Sequence, residues 1–370
     1  MANIIGSPSR YIQQAGALAK LASFTAPLGK RLLILVSTNG RKRIGQSVIS
    51  STSGTDTTLV WVEFKGECSK KEVERVEALA KEAHCDVIVG IGGGKILDTA
   101  KATAYYMGLP VVIVPTAAST DAPCSALSVL YTDEGVFDKY LYLSANPDIV
   151  LMDSEVIANA PARLLISGMG DALATYFEAR ACNASHAKNC FGGNVSLTAM
   201  GIARLCYDTL LSDGLKAAIA MKSHACTPAV EHIIEANTFL SGVGFESGGI
   251  AAAHAIHNGF TAIEETHKMY HGEKVAFGTI AQLVLENAPT EELDEVVGFC
   301  LKVGLPVCLE DLGIKEVRPE QLMSVATIAC SENDTLHNMP FPVTPKAVYA
   351  AILAADALGH YYKDTCKCGN

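Results

Sequence analysis

Basic residues are in the minority in this chain. Lys and Arg number 29 against 39 Asp and Glu, a formal net charge of −10 at pH 7. Such a surface repels a polyanion, so nucleic acid is not an expected partner. Long apolar runs are missing too, since none reaches the roughly 18 residues that a membrane helix needs. The opening MANIIGSPSR lacks a sustained apolar stretch and an Arg- and Ser-rich character, so no signal or transit peptide is read there. A soluble, cytoplasmic protein with no membrane association is the expectation. No Cys-x-x-Cys pair occurs among the 12 cysteines. Cys182, Cys190, Cys206 and Cys330 stand in apolar helical contexts, which reads as reduced thiols rather than a disulfide framework. Cys366 and Cys368 lie in the polar tail KDTCKCGN, read as a fraying end in preference to a metal site.

What is present is apolar: 49% of the 370 residues are hydrophobic. That length exceeds the size at which one core keeps growing, which predicts two domains, 1–160 and 161–370. The first alternates short β-branched runs with helical stretches, the signature of an α/β fold with a parallel sheet. Strands are predicted at 32–36, 59–64, 86–91, 111–114 and 149–152. Between the second and third, SKKEVERVEALAKEA predicts a helix, with Ser69 as N-cap and Glu72 as its capping-box partner. Beyond Pro161 the texture is Ala- and Leu-rich with helical spacing, so the second domain should be all-α. Pro161 suits the start of a helix over 162–166, and Gly168 and Gly170 are expected to interrupt before the next helix, which carries Asp171.

Both common phosphate fingerprints fail at VIVGIGGGK, residues 87–95. Lys95 stands where G-x-G-x-x-G requires glycine, and Ile96 where the Walker pattern requires Ser or Thr. A strand running into Gly92-Gly93-Gly94 and then a helix can nevertheless present backbone N–H groups to a pyrophosphate. The plainer alternative is a tight strand-to-helix turn, with Lys95 and Asp98 as a surface ion pair. A polar cluster, PTAASTDAPCSALSVLY at 115–131, follows the next strand. Strand ends in open α/β sheets bind ligands, so Thr116, Ser119 and Asp121 fall where cofactor and substrate would meet, although the same residues also suit a turn.

In GGIAAAHAIHNGF, residues 248–260, His254 and His257 share one helix face whose small neighbours leave room for an ion. His271 follows, with His267 four residues earlier, and SGMGDALATYFEAR adds a carboxylate. Carboxylate and imidazole donors together suit Zn²⁺ or Fe²⁺ and leave a coordination position open for substrate. A single histidine on an apolar helix is more often a core residue. His84, His186, His224, His232, His337 and His360 have no comparable setting.

GIGGGKILDTAK, PTAASTDAPCSALSVLYTDEG, SGMGDALATYFEAR, GFESGGIAAAHAIHNG and HGEKVAFGT together resemble the metal-dependent, iron-containing-type alcohol dehydrogenases, in particular the bacterial glycerol dehydrogenase group. The resemblance runs from SPSRYIQQAG to TLHNMPFPVTP, nearly the whole chain. It implies a dehydroquinate synthase-like architecture: a Rossmann-like domain, a helical domain and an active site in the cleft between. It implies Asp171, His254 and His271 as Zn²⁺ ligands that also border the substrate, with Fe²⁺ as the other metal to consider. Asp121 would contact a small polyol, and His257 or solvent would relay a proton. Ser37, Gly92, Gly93, Gly94, Lys95, Asp98, Thr116, Ser119, Ser125, Leu127 and Tyr131 would line an NAD⁺ site. The activity implied is reversible NAD-dependent oxidation of glycerol and other small vicinal diols, in a homo-oligomer, often an octamer.

One departure matters. Relatives that use NAD⁺ usually carry an acidic residue after the strand that ends here at Val36, where this chain has Ser37 and Thr38, followed by Arg41, Lys42 and Arg43. Removing a carboxylate weakens repulsion of a 2′-phosphate, so NAD⁺ should be used and NADP⁺ less strongly rejected. Three other readings compete. A dehydroquinate synthase-like lyase would need a cationic pocket that the helical half does not display. A related alcohol dehydrogenase with another small substrate, or a nucleotide- or metal-binding regulatory module without turnover, would share most of these motifs.

Overall fold

The computed structural model describes residues 2–367. Among the described residues there are eight strands: β1 (Arg10–Gln14), β2 (Arg31–Val36), β3 (Thr58–Glu63), β4 (Val87–Gly92), β5 (Val111–Pro115), β6 (Leu127–Tyr131), β7 (Phe137–Tyr142) and β8 (Ile149–Asp153). Six form one sheet in the order β1-β8-β5-β4-β2-β3, with every pairing parallel. Both faces of the sheet are covered, and the strands show why. Leu33, Leu35, Ile88, Ile113, Val150 and Met152 enter one apolar core, while Leu32, Ile34, Val87, Val89, Val112, Ile149 and Leu151 enter another. Successive side chains of a strand point to opposite faces, so each of these strands must be apolar throughout.

All five strands expected from β-branched runs are present. β1 and the β6–β7 antiparallel hairpin are additions. β1 is the polar edge segment RYIQQ, and β7 is almost wholly exposed, so neither shows the apolar run that marks a buried strand.

From Ala162 onward the chain is helical, the long elements being Ala162–Ser185, Leu197–Met221, His271–Leu285 and Pro345–Lys367. Gly168 and Gly170 do not interrupt the first of these, contrary to expectation. A Cβ on Gly168 would lie 2.1 Å from the Ala118 carbonyl oxygen, and one on Gly170 would lie 2.3 Å from that of Gly272. Both glycines are therefore points of close approach inside a continuous helix. The capping box at Ser69 is half formed. Ser69 Oγ accepts from Glu72 N, but the Glu72 carboxylate turns away to accept from Lys65 N and Arg75. Among the described residues no helix is long and apolar enough to cross a membrane. The Cys366 side chain and Cys368 lie outside the described residues.

Candidate active site

From β2 the chain runs outward to β3, and from β4 it runs the other way to β5. Between the carboxyl ends of β2 and β4 lies the switch point, where open α/β sheets bind ligands. The glycine loop stands there. Gly93 is the N-cap of helix Gly94–Met107 and supplies no side-chain cap, so the first helical N–H groups are left for another partner. A Cβ on Gly93 or Gly94 would meet nothing within 4 Å. Open space over uncapped N–H groups is what a pyrophosphate requires.

Lys95 and Asp98 do not pair with each other. Lys95 Nζ lies 2.6 Å from Glu67 and over the Tyr131 ring. Asp98 is buried, accepts from Val129 N and faces Lys101 at 4.0 Å. Burial pushes its carboxyl up to about 6.

Lys101 drew no notice in the sequence, because a lysine on a helix ordinarily reaches solvent. Here it is fully buried, and its ammonium donates to Ala122 O (2.6 Å), Leu127 O (3.0 Å) and Ser125 Oγ (3.2 Å). Glu246 grips the same loop from the helical side, accepting from Ala126 N (2.7 Å) and Asn146 Nδ2 (2.6 Å). Thr116 follows β5, its N–H donating to Gly92 O. Just beyond it the segment through Ser119 and Asp121 turns toward the helices. Asn237, within a π-helical turn at Ala236–Leu240, ties that turn down by donating to Ala118 O and Leu165 O. π-turns of this kind concentrate at functional sites.

Asp171, His254 and His271 converge although they are far apart in sequence. Helix Ala162–Ser185 carries the aspartate, helix Ala252–Phe260 carries His254, and His271 begins the helix His271–Leu285. Both imidazole Nε2 atoms face Asp171 Oδ1, at 3.3 Å from His254 and 3.0 Å from His271. Glu178, one further carboxylate on the aspartate's own helix, approaches His254 Nδ1 at 2.6 Å. A carboxylate can only accept there, so the proton lies on Nδ1. On the other side Asn258 Nδ2 donates to Asp334, leaving Asn258 Oδ1 to accept from His257 Nδ1. His257 Nε2 then accepts from His271 Nδ1 at 3.0 Å.

This network directs three acceptors, Asp171 Oδ1 and two imidazole Nε2 lone pairs, at one another. Asp171 Oδ1 is buried with no hydrogen-bond partner. Such an arrangement calls for a cation, and the donor set fits a Zn²⁺- or Fe²⁺-type ion with a carboxylate behind one histidine. The field of the cluster favours positive charge at this point. Burial alone would raise the Asp171 carboxyl, but His271 and His254 hold it far below the usual carboxylate range. Burial alone would lower the His254 imidazole, but Glu178 and Asp171 raise it well above its ordinary value. His257 is driven the other way by burial, His271 and Lys274, and is neutral.

Asp121 adjoins this cluster. Its backbone N–H donates to Asp171 Oδ2 at 3.1 Å, and its carboxylate accepts from Ser241 Oγ at 2.8 Å. Burial and the neighbouring Asp171 charge push its carboxyl well up. His267, the remaining histidine of this stretch, turns away to the Thr261 carbonyl. Cys308, Asp356 and His360 form a second convergent group, but Lys363 already brings its ammonium to 3.5 Å from Cys308 Sγ.

A parallel sheet with an open glycine loop, joined to a partly buried Asp-His-His cluster, is the arrangement of a metal- and dinucleotide-dependent enzyme. Residues 8–154 match the model of the iron-containing alcohol dehydrogenase family. The chain is 53% identical over 366 residues to glycerol dehydrogenase of Escherichia coli O6:H1, covering 98% of this chain and 99% of that one. Glycerol dehydrogenase of Pseudomonas putida is 52% identical over 362 residues, again 98% of this chain and 99% of the relative. The crystal structure of glycerol dehydrogenase from Schizosaccharomyces pombe superposes with a TM-score of 0.95 at 39% identity, covering 99% of this chain and 93% of that one. The chain belongs to the glycerol dehydrogenases of the iron-containing alcohol dehydrogenase family. Membership implies a nicotinamide cofactor and a metal ion.

Proposed function

We propose that the protein oxidises glycerol to dihydroxyacetone with NAD⁺, reversibly, and handles other small vicinal diols and hydroxyketones such as 1,2-propanediol and hydroxyacetone. The observation that carries this is the Asp121 carboxylate beside the Asp171, His254 and His271 cluster, at the carboxyl end of the sheet, which bears the glycine loop. Asp171, His254 and His271 would hold Zn²⁺, with Fe²⁺ as the other metal to test. A metal bound there supplies Lewis-acid polarisation of the alcohol oxygen, favouring loss of the hydroxyl proton.

The remaining work falls to the chain. Asp121, fixed by Ser241 and relieved of the Asp171 charge once a cation is held there, would accept from a neighbouring hydroxyl as a carboxylate and so select a diol over a monoalcohol. His257, neutral and held between His271 and Asn258, would orient His271 and, with solvent, provide the route by which the proton leaves. Gly92, Gly93, Gly94 and Lys95 would seat the pyrophosphate. Ser37, Asp98, Thr116, Ser119, Ser125, Leu127 and Tyr131 would border the remainder of NAD⁺. NAD⁺ held there would supply the hydride acceptor, and the clamped loop 122–127 would position it against the substrate. Division into domains near residue 160, a cytoplasmic location and assembly as a homo-oligomer, octamer included, belong to the same reading.

The test is to strip the metal with chelator, restore Zn²⁺ or Fe²⁺, and follow NADH formation with glycerol, 1,2-propanediol and 1-butanol. Diol turnover that disappears without metal is the expected result. Metal-independent turnover would remove the role of the cluster, and no diol oxidation with any nicotinamide would point to another alcohol or to a lyase.

A further inference from the structure

Given the nicotinamide dinucleotide site proposed above, on which the following rests, the adenosine half lies over the end of β2, beside the glycine loop. That strand ends without a carboxylate. Ser37 is committed elsewhere, its Oγ accepting from Gly40 N at 3.0 Å as the N-cap of helix Thr38–Ser50. The outer strand supplies what is missing. β2 and β3 run in parallel register with Val36 opposite Glu63, about 4.8 Å apart at the backbone. The half-exposed Glu63 side chain crosses that gap, and its carboxylate accepts a hydrogen bond from the Thr38 hydroxyl.

We propose that Glu63 is the residue that selects NAD⁺ over NADP⁺, holding the adenosine ribose hydroxyls from the neighbouring strand in place of an acidic residue at Ser37. Ribose hydroxyls donate well to a carboxylate, whereas a 2′-phosphate meets like charge there. Two cations face this carboxylate and temper its charge, Lys65 at 3.6 Å from Oε2 and Arg75, whose guanidinium donates to the Glu63 carbonyl, while Arg41 is stacked on the Trp61 ring at 4.7 Å. The repulsion of a 2′-phosphate is therefore that of a partly neutralised carboxylate at an exposed site. The Thr38 hydrogen bond and Lys65 also keep the Glu63 carboxyl below its ordinary range, so it is ionised at neutral pH. On this view the NADP⁺ tolerance expected from Ser37 is offset by a carboxylate brought in sideways.

The experiment compares kcat/KM for NAD⁺ and NADP⁺ with glycerol, and Kd for NADH and NADPH by nicotinamide fluorescence. It uses the metal-loaded parent protein, Glu63→Gln, Glu63→Ala, Ser37→Asp and the Ser37→Asp/Glu63→Gln double variant. Glu63→Gln should lower the NAD-over-NADP ratio about tenfold or more, chiefly through cofactor KM. Ser37→Asp should change the ratio little in the parent but restore it in the Glu63→Gln background, the non-additivity expected of two residues serving one site. An unchanged ratio in both Glu63 variants, or a parent that uses NADP⁺ as well as NAD⁺, would overturn the role of Glu63 and leave the diol reading standing. A shifted NADH-to-NADPH affinity ratio without diol turnover would do the reverse. Binding of neither nucleotide would overturn both.

Discussion

Glu178 approaches His254 Nδ1 at 2.6 Å, and this one contact decides which imidazole nitrogen faces Asp171. The same glutamate accepts from the backbone N–H of Ala251 and of His254, so it also caps the helix that carries the histidine. Replacing it disturbs tautomer and ring orientation together. Glu178→Gln should weaken metal affinity about 10- to 100-fold. Chelator competition on the purified protein would measure this, with activity recovering as excess metal is added. An affinity equal to the parent's would remove Glu178 from behind the ligand.

Asp121 and His257 should fail in different ways. Asp121→Asn keeps the shape but lowers the acceptor strength next to a second hydroxyl, so kcat/KM should fall about 10²-fold for glycerol and much less for 1-butanol. His257→Ala serves no particular hydroxyl and should lower kcat about 10²-fold for every alcohol alike. Steady-state kinetics on the two alcohols separates these patterns. Equal losses for both alcohols in Asp121→Asn would contradict diol selection.

Glu246 should make stability depend on pH. Burial pushes its carboxyl from the ordinary 4.5 up to about 7, against the pull of Ala126 N–H, Asn146 and Lys101. Between those values the folded state holds a proton that the unfolded chain has released. The stabilisation is therefore full below about pH 4.5 and is lost as pH rises through about 7. A shift of that size corresponds to roughly 3 kcal/mol at about 1.36 kcal/mol per unit. Glu246→Gln removes the titration, so its stability relative to the parent should improve by about that amount between pH ~4.5 and ~8. Urea denaturation at several pH values tests this, and a pH-independent difference would count against it.

Two glycine substitutions should differ sharply. A Cβ on Gly272 would lie 1.8 Å from the Ser167 carbonyl oxygen, whereas one on the exposed Gly201 would meet nothing within 4 Å. Gly272→Ala should cost about 3 kcal/mol or more through forced separation of two helices. Gly201→Ala, inside helix Leu197–Met221, should be neutral or stabilise by up to about 1 kcal/mol. Thermal unfolding of both variants settles the contrast.

How far the sequence anticipates this molecule depends on the range of the interactions involved. Strands β2, β4, β5 and β8 are buried on both faces, and their apolar runs announce it. The Ser69 N-cap is legible because its partner lies three residues on; the claim of Arg75 on Glu72 is equally local, an i,i+3 pair on the same helix, whereas that of the Lys65 backbone depends on how the preceding loop folds back. Gly168 and Gly170 read as helix breakers because propensity speaks only for an isolated helix. Their cause is the loop and helix pressed against them. Glu178 had a signal, since it follows Asp171 by two helical turns on the same face. Lys101 and Glu246 had none, as nothing local distinguishes a buried clamp from a solvated charge. The union of Asp171, His254 and His271 lies in helix packing that spacing does not encode, and in the sequence only the family resemblance implies it.

The loop between Ala122 and Leu127 is held by an ammonium on the sheet side and a carboxylate on the helical side. Asp121 at one end touches the metal cluster, and Ser125 and Leu127 at the other border the proposed nucleotide site. The segment thus works as a gauge block. On the proposed reading, the gap between alcohol and nicotinamide would be set by this loop in advance, and neither ligand would have to create it on arrival.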